Sequence, residues 1–211
     1  MTEITPAAVA EQTAGAALPA PAASRARVTT DIALISSFAA FIAVCAVLHG
    51  IPTGSGVPIT LQTFAVILAG LVLGWRRGAL AVLLYLAVGF AGVPVFADGH
   101  SGLSVLSGAS AGYLIAFPFG AALAGVFAGA AVKATGYARY TVLFTSGFFA
   151  SLLTIHVGGI IGLMVKLGIS FGEAVTIDVV YLPGDILKNL AAAGVAFTLF
   201  RAYPDMLRDR R

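Results

Sequence analysis

An aspartate and a lysine lie three residues apart inside the last long apolar stretch of the sequence. Asp185 and Lys188 follow Pro183, and the rest of the stretch to Phe200 is uncharged. Positions three apart share one face of an α-helix, so both side chains are expected to point the same way. Either charge costs roughly 2.5 to 3.5 kcal/mol at mid-membrane if it faces lipid. The pair therefore predicts a polar pocket inside a helix bundle.

Two interpretations of this pair are open. The side chains could form an i,i+3 ion pair that neutralises both charges and does nothing more. They could instead bind a small amphiphilic ligand that carries N–H donors and a carboxylate. Pro183 fits the first turn of a helix, where a carboxylate is favoured, so Asp185 is expected near the start of its helix.

Other combinations of reactive residues are weaker. Ser146, His156 and Asp185 have the residue types of a hydrolase triad, but Thr145-Ser146-Gly147 is not the Gly-x-Ser-x-Gly turn that exposes a nucleophile. The 3 histidines are scattered, which predicts no metal site. There is no phosphate-binding Gly-x-x-x-x-Gly-Lys-Ser/Thr loop. We expect no enzyme activity and no cofactor, and any ATP-driven step requires another polypeptide.

Membrane-spanning helices are predicted to position these residues. The 211 residues are 59% hydrophobic and 10% charged, far more apolar than soluble domains. Basic residues occur in pairs between apolar stretches instead of forming a patch, so lipid is an expected partner and nucleic acid is not. The fold class is an all-α membrane protein with six transmembrane helices. The predicted spans are residues 32–48, 59–74, 78–93, 111–132, 142–165 and 179–200.

The second and third predicted spans are short. A straight span needs about 20 residues, so tilting, local thinning of the membrane or burial against neighbouring helices is expected for both. Residues 1–30 are predicted to be a disordered tail, residues 31–201 the six-helix domain and residues 202–211 a basic tail. Small residues recur four apart, as at Gly70 and Gly74, Gly125 and Gly129, or Gly158 and Gly162, which predicts close helix packing.

The distribution of Lys and Arg predicts the topology. Of the 12, two lie in the amino-terminal tail, two beside Trp75, two between spans four and five, and four at the carboxy terminus. The positive-inside rule then makes both termini of this multi-pass plasma-membrane protein cytoplasmic. Loops 53–58 and 94–110 would face outward, and their glycines would let them close over a ligand.

Several motifs, in order between about residues 30 and 200, resemble one family. They are Val57-Pro58-Ile59-Thr60-Leu61-Gln62-Thr63-Phe64, Leu68-Ala69-Gly70, Trp75-Arg76-Arg77-Gly78-Ala79, Gly92-Val93-Pro94-Val95-Phe96, Gly112-Tyr113-Leu114 with Phe117, and Tyr181-Leu182-Pro183-Gly184-Asp185 with Lys188. Together they resemble the BioY family, the biotin-specific substrate-binding (S) components of energy-coupling factor (ECF) transporters.

The resemblance implies a six-helix protein that captures biotin outside the cell. A transmembrane coupling protein and two ATPase subunits would then drive its release into the cytoplasm. Asp185 and Lys188 would occupy the family's Asp-x-x-Lys ligand-binding positions. Ala39 and Ala43 would form the Ala-x-x-x-Ala element that contacts the coupling protein. The alternative to this function is a solitary small-solute permease or channel without a motor.

One loop departs from the family pattern. Gly108-Ala109-Ser110-Ala111-Gly112-Tyr113 stands where the family usually has Gly-Pro-Thr-Gly-Gly-Tyr. The proline and one glycine are lost, whereas Ser110 keeps a hydroxyl, and Ser110, Gly112 and Tyr113 are expected to contact the ligand. Biotin suits the pair chemically, with its ureido N–H groups expected at Asp185 and its valerate carboxylate at Lys188.

Overall fold

A computed structural model describes residues 22–48 and 50–208, with side chains described for residues 27–48 and 50–206. The chain divides into two units after Ile32, and the second contains every helix after the first. The described backbone is helical, with connecting loops and a single antiparallel bridge between Ile51 and Ile59. The all-α prediction is therefore confirmed for the described residues.

Nine α-helices occur in the described residues. They are α1 (Ala22–Val47), α2 (Gln62–Leu73), α3 (Trp75–Phe90), α4 (Ala111–Phe127), α5 (Gly136–Ala150), α6 (Val157–Leu167), α7 (Phe171–Val179), α8 (Leu182–Ala202) and α9 (Pro204–Arg208). A π-helical turn, Ser151–His156, makes α5 and α6 one continuous helix, and a 3-10 turn, Ala128–Val132, extends α4. Two further 3-10 turns, Ala97–Gly99 and Leu103–Ser107, lie in the loop before α4.

The molecule has membrane character. Among the described residues, three helical stretches are long and apolar enough to cross a membrane: Arg27–Val47, Ala111–Val132 and Gly136–Leu167, with mean hydropathies of 2.1, 1.9 and 2.0. Large apolar side chains such as Phe119 and Val165 are exposed on their surfaces. Because water would penalise these side chains, a lipid environment explains them. That all six predicted spans cross the membrane stays a prediction.

Helix α2 lies at the centre of the bundle. It packs against α3, α4 and α8, and its residues 65–73 are all buried. The most exposed apolar residue among them, Leu68, is 4% exposed. Its 12 residues are too few for a straight span. Of the three explanations expected for a short second span, the structure shows burial against neighbouring helices.

Glycines allow the helices of this core to approach closely. A Cβ atom on Gly70 of α2 would lie 2.9 Å from the carbonyl carbon of Ala121 on α4. Similarly, a Cβ atom on Gly125 of α4 would lie 2.7 Å from Cα of Trp75, at the turn between α2 and α3. The packing role predicted for the spaced small residues is confirmed at these positions. Gly129 differs, because a Cβ atom there would meet nothing within 4 Å.

Several boundaries differ from the sequence prediction, and two of the differences are large. Helix α1 begins at Ala22, inside the predicted tail of residues 1–30, because helix-forming Ala and Arg residues precede the apolar stretch. Residues 1–21, the rest of that tail, lie outside the described residues. Residues 166–178, between the fifth and sixth predicted spans, are expected from their polar residues to be a loop, but most of them form α7.

A capping box explains the start of α7. The Ser170 hydroxyl accepts a bond from the Glu173 backbone N–H at 3.4 Å, and the Ser170 N–H donates to the Glu173 carboxylate at 2.8 Å. The donated bonds from the Ser170 side chain and backbone lower the pKa of Glu173 below its usual value. The carboxylate therefore keeps its charge, and the cap, to a more acidic pH than an unpaired glutamate would.

Candidate functional site

A cavity of about 420 Å³ lies among α2, α4 and α8 and the loops that precede α2 and α4. It is mostly apolar, with walls that include Val57, Phe96, Leu114 and Phe117. Small-molecule sites typically occupy about 300 to 1,000 Å³ and combine apolar walls with a few polar groups. This cavity has the size and lining of such a site. Four of the five predicted ligand residues line it: Ser110, Tyr113, Asp185 and Lys188.

Asp185 and Lys188 form an ion pair on the α8 side of the cavity. Helix α8 begins at Leu182 with Pro183 in its first turn, which places Asp185 near the start as predicted. The Lys188 Nζ atom lies 2.8 Å from Oδ1 of Asp185, and the side chains are 13% and 7% exposed. The prediction of a shared face is confirmed. In the structure both charged atoms belong to one small polar patch.

A second acid and a histidine lie behind this patch. His156 has its Nδ1 atom 2.8 Å from Oδ2 of Asp178 and its Nε2 atom 3.3 Å from Oδ2 of Asp185. All three side chains are buried. Sequence reasoning placed Asp178 in a loop and missed this contact. The Ser170-x-x-Glu173 capping box was the signal that could have placed Asp178 on a helix.

The π-helical turn determines the position of His156. The residue ends the turn that joins α5 to α6 and faces the bundle interior. Such turns add a residue to the helical register and often occur at functional sites. Both ring nitrogens of His156 face carboxylates. Neither nitrogen is therefore directed at a serine hydroxyl, which argues against the Ser146 triad.

Tyr113 joins the second acid to the cavity. Its hydroxyl donates to Oδ1 of Asp178 at 2.7 Å, and its ring lies over Gly159 on α6, where a Cβ atom would come within 2.6 Å of the ring. The predicted contact residue next to it, Gly112, does not line the cavity. A Cβ atom on Gly112 would lie 2.7 Å from Cα of Gly162, so this glycine packs α4 against α6.

The loop before α2 is tied to the cavity wall by Tyr181. The Tyr181 hydroxyl donates to the Val57 carbonyl at 3.0 Å and forms a 2.6 Å hydrogen bond with Ser55. Its ring meets the Tyr113 ring edge-on, with centroids 5.9 Å apart. Loop 53–58 is therefore held against the start of α8. Sequence reasoning treated Tyr181 only as part of a motif.

Aromatic packing anchors the loop before α4. The Phe96 ring is almost fully buried, meets the Tyr85 ring edge-on at 5.5 Å and covers Gly89. The Tyr85 hydroxyl accepts a 2.7 Å bond from the Gln62 amide, and Gln62 lines the cavity. These contacts give the loop a defined position over the pocket.

The predicted coupling element lies on α1. Ala39 is buried, Ala43 is half-buried, and the neighbouring Ala40 and Phe41 are exposed. Phe41 meets the Phe64 ring of α2 edge-on at 6.1 Å. Contact of Ala39 and Ala43 with a coupling protein stays a prediction.

Known proteins resemble this chain over most of its length. Residues 12–205 match the sequence model of the BioY family. A protein of Rhizobium etli named biotin transporter BioY is 33% identical over 83% of this chain and 96% of its own length. Its Rhodobacter capsulatus namesake is 36% identical over 85% of this chain and 98% of its own length. A crystal structure described as the S-component for biotin from an ECF-type ABC transporter superposes with a TM-score of 0.74. It has 26% sequence identity and covers 83% of this chain and 93% of that one.

Proposed function

Because the chain belongs to the BioY family, we propose that it is the S component of an ECF-type importer and that it captures biotin in the cavity beside Asp185 and Lys188. The family consists of transporter components and not of enzymes. The observation that carries the proposal is the largely buried ion pair on the wall of a mostly apolar cavity of about 420 Å³. Such a wall suits a ligand with a polar cyclic urea and an apolar body.

The geometry of the ion pair supports one orientation of biotin. Nζ of Lys188 and Oδ1 of Asp185 are 2.8 Å apart, so an extended ligand cannot place opposite ends on them. The ureido ring of biotin has a carbonyl acceptor beside N–H donors. We therefore assign both residues to the ureido ring, with Lys188 donating to the carbonyl and Asp185 accepting from an N–H. This replaces the assignment of Lys188 to the valerate carboxylate.

The valerate carboxylate is assigned to the loop side of the cavity. Three serines line that side: Ser104, Ser107 and Ser110. Hydroxyl donors can bind a carboxylate without a buried counter-charge, but the Ser104 and Ser107 hydroxyls donate to the Ser101 and Ser104 carbonyls at 3.4 and 2.6 Å and would have to rotate toward the ligand. Ser110 makes no side-chain cap bond at the start of α4, so its hydroxyl can turn toward the ligand. Gly112 has a packing role in this proposal and does not contact biotin.

The wider mechanism follows from the helix arrangement. We propose six membrane spans: α1, α2, α3, α4 with its 3-10 extension, α5 continued by α6, and α8. Both termini would be cytoplasmic in the plasma membrane, and the cavity would open outward under loops 53–58 and 94–110. Ala39 and Ala43 would contact the coupling protein, which with two ATPase subunits would drive release of biotin into the cytoplasm.

Two measurements test this function. Mass spectrometry of the purified protein is expected to detect biotin that remains bound from the expression host. Uptake of radiolabelled biotin into cells without their own biotin transporter is expected to rise when the coupling protein and ATPases are co-expressed. Retention of a different small molecule would contradict the identification of biotin as the ligand. Uptake that is equally fast without the partners would favour the solitary permease.

A further inference from the structure

Five side chains form a continuous polar chain from one wall of the cavity to another, and we call them the carboxylate–histidine cluster. In order of contact they are Tyr113, Asp178, His156, Asp185 and Lys188. They come from α4, α7, the π-helical turn and α8. Tyr113, Asp185 and Lys188 line the cavity, whereas Asp178 and His156 lie behind them. The two hidden residues have no role in the contacts proposed above for biotin.

The hydrogen-bonding capacity of the cluster specifies how many protons it holds. An ionised carboxylate only accepts, and a neutral imidazole has one N–H donor and one acceptor nitrogen. Asp178 and Asp185 face Nδ1 and Nε2 of His156 respectively. A neutral His156 between two ionised carboxylates would therefore set one nitrogen lone pair against an oxygen lone pair. One further proton must reside on the ring or on a carboxylate.

The surrounding donors favour the ring as the place of that proton. The remaining carboxylate oxygens already accept from Tyr113 at 2.7 Å and from Lys188 at 2.8 Å, so a proton placed on either of these oxygens would compete with a donor that is already there. Imidazole is also a stronger base than a carboxylate, since the reference pKa is about 6.5 for His and about 3.9 for Asp. With a charged ring, two carboxylates are balanced by one lysine and one imidazolium inside a buried region.

We propose that His156 is a positioning residue which, as an imidazolium, holds the Asp185 carboxylate at the cavity wall and connects it through Asp178 to Tyr113. The part of this proposal that concerns biotin rests on the proposed function. The cluster couples the α4 side of the cavity to the α8 side, because a movement of Tyr113 on α4 would change the contacts of Asp178 and thereby those of His156. Helix α7 contributes to the site only through this connection.

A spectroscopic measurement tests the protonation of the ring without any ligand. Nitrogen-15 NMR of histidine-labelled protein is recorded at about pH 8. An ordinary exposed histidine is largely neutral at this pH, because its reference pKa is about 6.5. One histidine is expected to give the signals of a ring protonated at both nitrogens, and H156Q is expected to lack them. A neutral His156 ring under these conditions would overturn the proposal.

Binding measurements test the positioning role. H156Q leaves an uncompensated negative charge, so it is compared with the charge-balanced double variant H156Q/D178N. The double variant is expected to recover thermal stability yet bind biotin about tenfold or more weakly, because Asp185 still lacks its charged donor. The control is Y140F, which loses the 3.2 Å bond from α5 to the Leu190 carbonyl of α8. It is expected to bind biotin as the wild type does.

The outcomes separate this proposal from the proposed function. If H156Q/D178N binds biotin within threefold of the wild type, His156 only balances the charge of Asp178 and the positioning role is wrong. If the wild type binds no biotin, the proposed function fails, while the NMR measurement still decides whether His156 carries the charge that positions Asp185.

Discussion

Asp185 has a protein partner at each of its carboxylate oxygens. Lys188 contacts Oδ1 at 2.8 Å and His156 lies 3.3 Å from Oδ2. Each oxygen has a second acceptor site, so a ligand N–H can bind without displacing these partners. Lys188 likewise has further N–H donors that can bind a ligand carbonyl. The two sequence interpretations of the pair are thus compatible, because the paired side chains keep the acceptor and donor positions that a cyclic urea would use.

The orientation of the ligand is testable with biotinamide, in which the carboxylate is replaced by a neutral amide. If Lys188 contacts the ureido carbonyl, K188Q should weaken biotin and biotinamide by the same factor, about tenfold. Equilibrium dialysis with the two labelled ligands measures both factors. A loss for biotin that is absent for biotinamide would return Lys188 to the valerate carboxylate.

Tyr181 is expected to hold loop 53–58 closed. Y181F removes the hydroxyl that bonds Val57 and Ser55 but keeps the ring contact with Tyr113. Losing these bonds should increase biotin dissociation several-fold, since a typical hydrogen bond contributes about 0.5 to 1.5 kcal/mol. Stopped-flow release of a fluorescent biotin analogue measures the rate. An unchanged rate, with the variant folded, would show that this loop does not limit release.

At the scale of elements, two short structures assemble the polar part of the site. Ser170 and Glu173 cap the start of helix α7, which supplies Asp178. The π-helical turn directs His156 toward both acids. Around them, glycines reduce the distance between helices, so that α4 meets α6 at Gly112 and Gly162. In lipid, such close packing stabilises helix association, because there is little hydrophobic incentive between helices.

The crossing of α4 and α6 can be tested by adding one methyl group. G112A would bring a Cβ atom within 2.7 Å of Cα of Gly162, and backbone cannot yield as a flexible side chain can. The variant is expected to lose about 1 to 3 kcal/mol of stability, the usual cost of overpacking. Thermal unfolding in detergent measures the loss. The matched control is G129A, where nothing lies within 4 Å; equal melting temperatures for both variants would refute the packing role of Gly112.

The sequence predicts the local features of this structure better than the distant ones. The i,i+3 geometry of Asp185 and Lys188 follows from helical periodicity alone, and the start of α8 follows from Pro183. The contact of His156 with Asp178 joins residues on different helices, and a single sequence contains no local pattern for it. Helix α7 was missed because its capping box was overlooked, whereas the buried position of α2 depends on its neighbours.

At the scale of the whole molecule, the cavity lies in one part of a bundle whose outer surface is apolar. Loops 53–58 and 94–110 line it, and the basic residues at the start of α3 and between α4 and α5 are expected on the opposite side of the membrane. This arrangement would give biotin a route from outside to the Asp185–Lys188 pair. It also leaves α1, with its exposed Phe41, available for a membrane partner.

Cysteine labelling tests this orientation. Cys45 is buried and can be replaced by alanine to give a background for single cysteines. L103C, in the loop before α4, should react with a membrane-impermeant maleimide in intact cells. T135C, in the turn before α5, should react only after permeabilisation; both native residues are exposed. The reverse labelling pattern would indicate the inverted topology. Labelling of both cysteines in intact cells would contradict the proposed orientation.

The direct test of biotin capture by this cavity is calorimetric titration of the purified wild type and of D185N with biotin. D205N, an exposed acid-to-amide change on α9, serves as the matched control. The wild type and D205N should bind one biotin per chain with equal affinity. D185N should bind at least about tenfold more weakly, since a charged hydrogen bond contributes about 1.5 to 3 kcal/mol. No binding by the wild type, or equal affinity of D185N and the wild type, would contradict capture of biotin at Asp185.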